Sequence, residues 1–375
     1  MRLGILGGGQ LGKMTAMAAL QLGYDVVIWS EEALSPAGRA TAFEVSGSLE
    51  DEAVRVKLAS LVDVLTLENE FIPPHLLEWF ETHGTPVYPT SATVAKIQDK
   101  WRQKQFLAEA GLPVPETMAL ESLEELRKAP EKLGYPLVLK TRTLGYDGRG
   151  TAVVRSPEAL AQAVDRLGGL KPGHLMAETY IAFERELAVM VVRDRQGRVL
   201  TYPVVETQQP GYICRKVLAP APISPQDAER ARSVAASAVE SLRGVGAFGV
   251  ELFYQPGRVW INEIAPRPHN SGHYSIEACV TSQFENHVRA VTGLSLGSPE
   301  MVAPCAVMVN LLGSDHGPVS EDVLVEASAL PGVHLHLYGK RLRQPGRKMG
   351  HITVLGQSLA EAEARADEAA RFIRI

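Results

Sequence analysis

Short apolar runs alternate with helix-period segments over the first hundred residues. Leu3–Leu6 reads as a strand, and the run from Leu11 to Leu22 reads as a helix that Gly23 stops. Val26–Trp29 and Val62–Leu67 predict further strands, with a helix over 51–60 between them. Pro73 and Pro74 open a helix to about His83, and Pro86–Tyr88 is the next strand. Such alternation predicts a doubly wound parallel sheet. Ser91 is placed to cap one more helix, and Asp99–Ala110 predicts another, closed by Gly111.

Beyond Gly111 the pattern changes. Leu137–Thr141 and Thr151–Val154 predict strands around a glycine-rich loop. Pro157–Leu167 predicts a helix and Leu175–Glu178 a strand. Glu186–Arg193 and Val199–Val205 predict a hairpin, followed by a long helix over Pro225–Leu242. Strands at Ala306–Leu311, His334–Leu337 and Ile352–Leu355 precede a helix near Leu359–Phe372. This region reads as α+β. The divisions expected are 1–98 for a Rossmann-like unit, 99–180 for a small central unit and 181–375 for the rest.

Composition narrows the class without deciding the chemistry. The chain has 375 residues, 45% hydrophobic and 22% charged, enough for a large core. Its net charge of −5 argues against a general nucleic-acid binder. Cys214, Cys279 and Cys305 fit neither a zinc spacing nor a disulfide framework, so a reducing cytoplasm is expected. The chain enters a strand at once, which predicts no leader peptide, and no apolar run approaches the roughly 18 residues of a membrane span.

Candidate chemistry is concentrated in four segments. From Glu251 to Glu263, two apolar runs flank Pro256-Gly257, and each carries a carboxylate where alternation calls for an apolar residue. With Pro256-Gly257-Arg258 as the loop, Glu251 and Glu263 oppose one another directly. Opposed like charges destabilise a strand pair. A hard cation such as Mg2+ suits two carboxylates and Asn262. The second segment, Lys140 to Thr151, ends an apolar strand in a lysine and then offers three glycines, so backbone N–H groups can approach phosphate oxygens. It is not a Walker A sequence. The third, Gly7-x-Gly9-x-x-Gly12, matches the dinucleotide fingerprint, with Glu31 or Glu32 near the position of a ribose-binding acid. Nicotinamide binding, a packing turn and another phosphorylated ligand are the three readings of that loop. The fourth, Lys340 to Lys348, holds five cations in nine residues and reads as a phosphate site or a solvated turn.

Taken in order, Gln98-Asp-Lys100, Leu139-Lys140, Gly145–Gly150, Glu178, Phe183–Glu186, Gly249–Glu251 and Asn262-Glu263 resemble the ATP-grasp ligases. Gly7–Gly12, Ala265–His273, Tyr338–Lys340 and Gly346-Arg347 narrow the resemblance to the 5-(carboxyamino)imidazole ribonucleotide synthase family, over essentially the whole chain. The resemblance implies a pre-ATP-grasp unit, an ATP-grasp fold with a small lid, and a small C-terminal subdomain. It implies carboxylation of 5-aminoimidazole ribonucleotide by bicarbonate through carboxyphosphate, with ATP and Mg2+, in a cytoplasmic homodimer without nucleic-acid or membrane partners. Lys100 and Lys140 would hold phosphates, under Gly145, Tyr146, Asp147, Gly148, Arg149, Gly150 and Thr151. Glu178, Thr179, Tyr180 and Ile181 would meet adenine and Glu186 the ribose, with Gln209 nearby. Glu251 and Glu263 would ligate the metal beside Asn262.

Tyr146, Asp147, Arg149, Arg267, His269, Asn270 and Ser271 would surround bicarbonate and the aminoimidazole on the same grounds. Gln10, Leu11, Glu70, Lys340 and Arg347 would hold the ribonucleotide. Thr66–Ile72 and Glu206–Gln209 depart from the family pattern, which leaves their ligand roles open. The alternatives are a phosphoribosyl transformylase or biotin carboxylase of the same fold, or a nicotinamide-dependent oxidoreductase built on Gly7–Gly12. The oxidoreductase reading leaves the Glu251/Glu263 pair unexplained.

Overall fold

The alternating N-terminal pattern becomes a five-stranded parallel sheet in a computed structural model, which describes residues 1–145, 150–319 and 330–373. Its order is Phe43–Ser46, Asp25–Ser30, Arg2–Leu6, Val64–Leu67 and Val87–Tyr88. Successive side chains alternate between two buried faces. Leu3, Ile5, Val26 and Ile28 pack on one side, and Leu6, Val27, Trp29 and Leu65 on the other. The edge strand Phe43–Ser46 escapes sequence reading because only Val45 of its four residues is buried. One cap also differs from expectation. Thr90, not Ser91, accepts the helix N–H of Thr93, while Ser91 is the first helical residue and binds Glu81.

A four-stranded antiparallel sheet follows, ordered Thr117–Leu120, Leu175–Thr179, Leu137–Thr141, Thr151–Val154. The helix Leu123–Leu133 beside it was not foreseen. Charged residues dominate it and Pro130 lies inside it, although Ser122 caps it.

The third sheet joins Arg258–Ala265, Gly246–Gln255, Arg185–Arg193, Val205–Gln208, Lys216–Ala219, Cys305–Leu312, Lys348–Gly356 and Val333–Leu337. The expected strand Val199–Val205 is broken. Val199–Thr201 pairs with Val191–Arg193, and Val205 restarts against Ala188 in a shifted register. Pro203 between them has no N–H to offer.

A further unforeseen helix, Gln283–Thr292, packs Phe284, Val288 and Val291 into the core of the first sheet. From it His287 joins two sheets. Its Nδ1 accepts the N–H of Ala247 at 2.9 Å, and its Nε2 meets Thr66 Oγ1 at 2.7 Å. The backbone donor fixes the neutral ring with its proton on Nε2. Among the described residues, no helix is long and apolar enough to cross a membrane.

Candidate active site

Residues that follow strands of the first sheet join residues of the four-stranded and the largest sheets around one cleft of about 730 Å3. The carboxylate hairpin forms part of its wall. Gln255 pairs with Arg258, so the turn is Pro256-Gly257 and not the three-residue loop expected. That turn alone would set Glu251 against Asn262. A bulge after Leu252/Ile261 restores the Glu251–Glu263 opposition and sends both Asn262 and Glu263 toward the site. Asn262 Nδ2 donates to Glu251 Oε2 at 3.3 Å, and its Oδ1 accepts from Lys140 Nζ at 2.9 Å.

The two carboxylates diverge electrostatically. Burial pushes Glu251 up, and repulsion from Glu263 and Glu186 adds to it. Burial acts on Glu263 too, but its ion pair with Lys100 prevails and holds it well below the usual range. A second cation between them would remove the repulsion. The oxygens of Glu251, Glu263 and Asn262 are hard donors of the kind Mg2+ takes. No group of three or more His, Cys, Asp or Glu side chains suited to a metal occurs among the described residues. Any ion here would need water or ligand oxygens as well.

Lys140 stands one residue before the end of its strand and lines the cleft. Its ammonium lies 2.5 Å from Glu178 Oε1. The Glu178 carboxylate meets this lysine, and Glu178, Thr179, Tyr180 and Ile181 all line the cleft. Val138, Val153, Phe253 and Ile264 give that end an apolar lining, and Arg155 lies over the Tyr180 ring. Glu186 lines the same cleft, and burial lifts it to about 7 against the pull of Lys140. Gln209 lines it too and donates to Thr207 Oγ1. Asp99 caps the helix that begins at Lys100 and is gripped by Arg142, which fixes that lysine's position.

At the glycine-rich loop, Gly145 and Thr151 line the cleft, and the Gly150 carbonyl accepts the Thr141 N–H. Tyr146, Asp147, Gly148 and Arg149 lie outside the described residues.

Arg267 and His269 stand between the hairpin and the first sheet. Arg267 forms a two-pronged ion pair with Glu70, which is held down by that charge despite burial. Glu70 is thus neutralised by protein before any ligand arrives. His269 packs so closely on Gly249 that a Cβ there would sit 2.5 Å from the histidine's own. Burial and then Arg267 lower His269 to about 4. Its Nδ1 meets Ser271 Oγ at 2.9 Å and the Ser271 N–H, which puts the neutral ring's proton on Nε2, 3.6 Å from Glu251. Ser271 itself is buried behind His269 and does not line the cleft. Asn270 lines it but is tied to Asn310 by reciprocal amide bonds of 2.9 and 2.6 Å.

The N-terminal glycine loop has its anion seat filled from within. The Glu68 carboxylate faces the N–H groups of Leu11 and Gly12 at the helix start. A Cβ at Gly9 would lie 2.2 Å from Glu68 Oε1, and one at Gly7 2.5 Å from Oε2. A pyrophosphate would have to occupy the same place. NAD and NADP should therefore show no binding in calorimetric titration, and a micromolar dissociation constant for either would contradict this geometry. Gln10 and Leu11 nonetheless line the main cleft.

Lys340 and Arg347 both line the cleft. Lys340 Nζ donates to the Lys348 carbonyl at 2.7 Å, and Arg347 donates to the Leu342 carbonyl at 3.1 Å. Arg39 and Lys13 reach from the first sheet's helices to the carbonyls of Gly339 and Leu337 and brace this segment. Sequence reading named Lys348 only as one of five cations and passed over Lys104, Arg142 and Arg155. Of these, Lys104 left a readable signal, four residues after Lys100 on one helix face.

Residues 1–98 match the ribonucleotide synthetase preATP-grasp domain, 105–284 the ATP-grasp domain, and 306–365 the phosphoribosylaminoimidazole carboxylase C-terminal domain. The chain is 44% identical, over 98% of its length, to N5-carboxyaminoimidazole ribonucleotide synthase of Synechococcus elongatus, of which it spans 92%. It is 41% identical, over 96% of its length, to the chloroplastic phosphoribosylaminoimidazole carboxylase of Vigna aconitifolia, but spans only 65% of that longer protein. The crystal structure of N5-carboxyaminoimidazole synthase from Aspergillus clavatus with ADP and 5-aminoimidazole ribonucleotide matches with a TM-score of 0.89 at 36% identity, covering 99% of this chain and 98% of that one.

Proposed function

Because the chain belongs to the N5-carboxyaminoimidazole ribonucleotide synthase family of ATP-grasp ligases, we propose that its cleft carboxylates 5-aminoimidazole ribonucleotide at the expense of ATP. The observation that carries this is the continuity of one cleft from Lys140 and Glu263, past Arg267, to Lys340 and Arg347. ATP lies with its base among Val138, Ile181 and Phe253, its ribose toward Glu186 and its phosphates at Lys100 and Lys140. Glu251, Glu263 and the Asn262 oxygen would hold Mg2+, which supplies charge neutralisation on the phosphates when bound. The family resemblance further supports a cytoplasmic homodimer.

A bicarbonate oxygen attacks the γ-phosphorus, and the bond to ADP breaks. The ribonucleotide amine then attacks the carboxyl carbon, the carbon–oxygen bond to phosphate breaks, and the amine gives up a proton. The protein's work is positioning and charge balance rather than covalent chemistry. Lysines 100 and 140 bind charge on the transferred group. Arg267, already oriented by Glu70, faces the carboxyl oxygens. His269 is neutral and presents an N–H toward Glu251, so in this state it orients and donates rather than accepting the amine's proton. ADP release should require bicarbonate and the aminoimidazole ribonucleotide together. Equal release with formate and a glycinamide ribonucleotide, or with biotin, would move the assignment to the related ligases.

The non-reacting phosphate of the ribonucleotide belongs at Lys340 and Arg347, a point charge beside a fork of donors. Its binding energy orients the amine from a distance. Arg347→Ala should lower kcat/KM for the ribonucleotide about tenfold or more, as for a lost charged hydrogen bond, with little change in KM for ATP. Collapse of ATP affinity with unchanged ribonucleotide kinetics would place this segment with the other substrate.

A further inference from the structure

Lys104 does not line the cleft, yet among the described residues it is the most deeply buried lysine. It follows Lys100 by one helical turn, a spacing at which like charges repel, so helix formation does not account for it. Its Nζ donates to the Ile261 carbonyl at 2.7 Å and stands 3.7 Å from Glu178 Oε2. On the other side of the same carboxylate, Lys140 Nζ is 2.5 Å from Oε1. Glu178 Oε2 is buried and accepts no hydrogen bond in the structure. One buried carboxylate thus faces two lysine amines, only one of which reaches the cleft; burial lowers Lys104 to about 7 against the pull of Glu178, so it carries its full charge below that pH.

We propose that Lys104 is a positioning residue for the ATP site: it shares the charge of Glu178 and so keeps Lys140 available to phosphate. A lone Glu178–Lys140 pair would be closed and neutral, and an incoming phosphate would have to compete with its short contact in a low-dielectric setting. With Lys104 protonated, the second cation leaves this buried trio with net positive charge, and Lys140 is the member that can direct it at a polyanion. Lys104 reaches no ligand itself and acts through Glu178. The inference rests on the reading of this cleft as an ATP site.

The test is calorimetric titration of the full-length protein with ATP in the presence of Mg2+ at about pH 6, where Lys104 is charged. Lys104→Gln keeps a donor for the Ile261 carbonyl but removes the charge, and should weaken ATP about tenfold. In a Glu178→Gln background, where no carboxylate competes for Lys140, the same change should cost less than about threefold. A purely structural role would give equal losses in both backgrounds and would overturn the proposal, as would an unchanged affinity in Lys104→Gln alone. If Lys104→Gln does not fold, Glu178→Gln alone decides: it should tighten ATP binding by releasing Lys140, and weaker binding would overturn the idea. Failure of the unmodified protein to bind ATP would instead remove the functional reading on which the inference stands.

Discussion

Glu263→Gln should cut turnover at least about a hundredfold while the protein stays folded, a loss of roughly 3 kcal/mol. The substitution is nearly isosteric. Its effect is electrostatic and falls on three groups together. Lys100 loses the carboxylate that holds it, Glu251 loses its opposed partner, and the hard-oxygen set at the bulge loses a charged donor. The loss stays at the low end for a broken charge pair because the Glu263 side chain is about a third exposed. Single-turnover kinetics at saturating ATP and limiting Mg2+ give the readout, with circular dichroism as the folding control. Turnover within a few-fold of the parent would mean that the opposed carboxylates serve the fold and not the reaction.

Acid should destabilise the protein earlier than its carboxylates alone would require. His287 is fully buried and neutral, and burial lowers it from 6.5 to about 3. The unfolded chain takes up a proton there below about pH 6.5, while the folded one does not until about pH 3. The stability from this site is therefore complete above about pH 6.5 and falls by about 1.4 kcal/mol per unit as the pH drops through that window. By pH 5 the loss is about 2 kcal/mol from His287 alone. Burial also holds His273 and His351 well below their usual value, so both act in the same direction. Glu251 and Glu186, raised by burial, oppose the decline over the same window, so thermal unfolding at pH 7.5, 6 and 5 is read as the difference between the parent and a His287 variant. His287→Asn should be less stable at pH 7.5, because a bridge between two sheets is weakened, but shallower in its pH dependence by about one proton. An unchanged slope would show that another group carries the acid sensitivity.

Much of this could be read from residue order, for physical reasons that differ by region. The parallel sheet is legible because both its faces are buried and its strands are almost wholly apolar. The Glu251–Glu263 pair is legible because each carboxylate interrupts an alternation that predicts an apolar side chain. The register behind that pair is not, since a bulge compensates for a turn one residue shorter than expected. The helix Gln283–Thr292 hides for another reason. The side chains of its buried Gln283, Asn286 and His287 are satisfied by His269, Tyr202, Gly297 and Ala247, which are close only after folding. The same holds for Glu68 and Glu70. Two residues apart, they do different jobs, one filling a helix terminus and the other pairing with Arg267. Lys104 had the spacing to be noticed, but only the fold brings Glu178 to it.

The central claim is that one cleft passes a phosphoryl group to bicarbonate before carbon reaches the amine. The direct measurement supplies 18O-labelled bicarbonate, ATP, Mg2+ and 5-aminoimidazole ribonucleotide, and determines the isotope content of the inorganic phosphate released. One labelled oxygen in each phosphate, formed in step with carboxylated ribonucleotide, is the predicted result, because the oxygen that attacks phosphorus leaves with it. Phosphate free of label, or ATP cleavage that proceeds equally well without the ribonucleotide, would contradict the account.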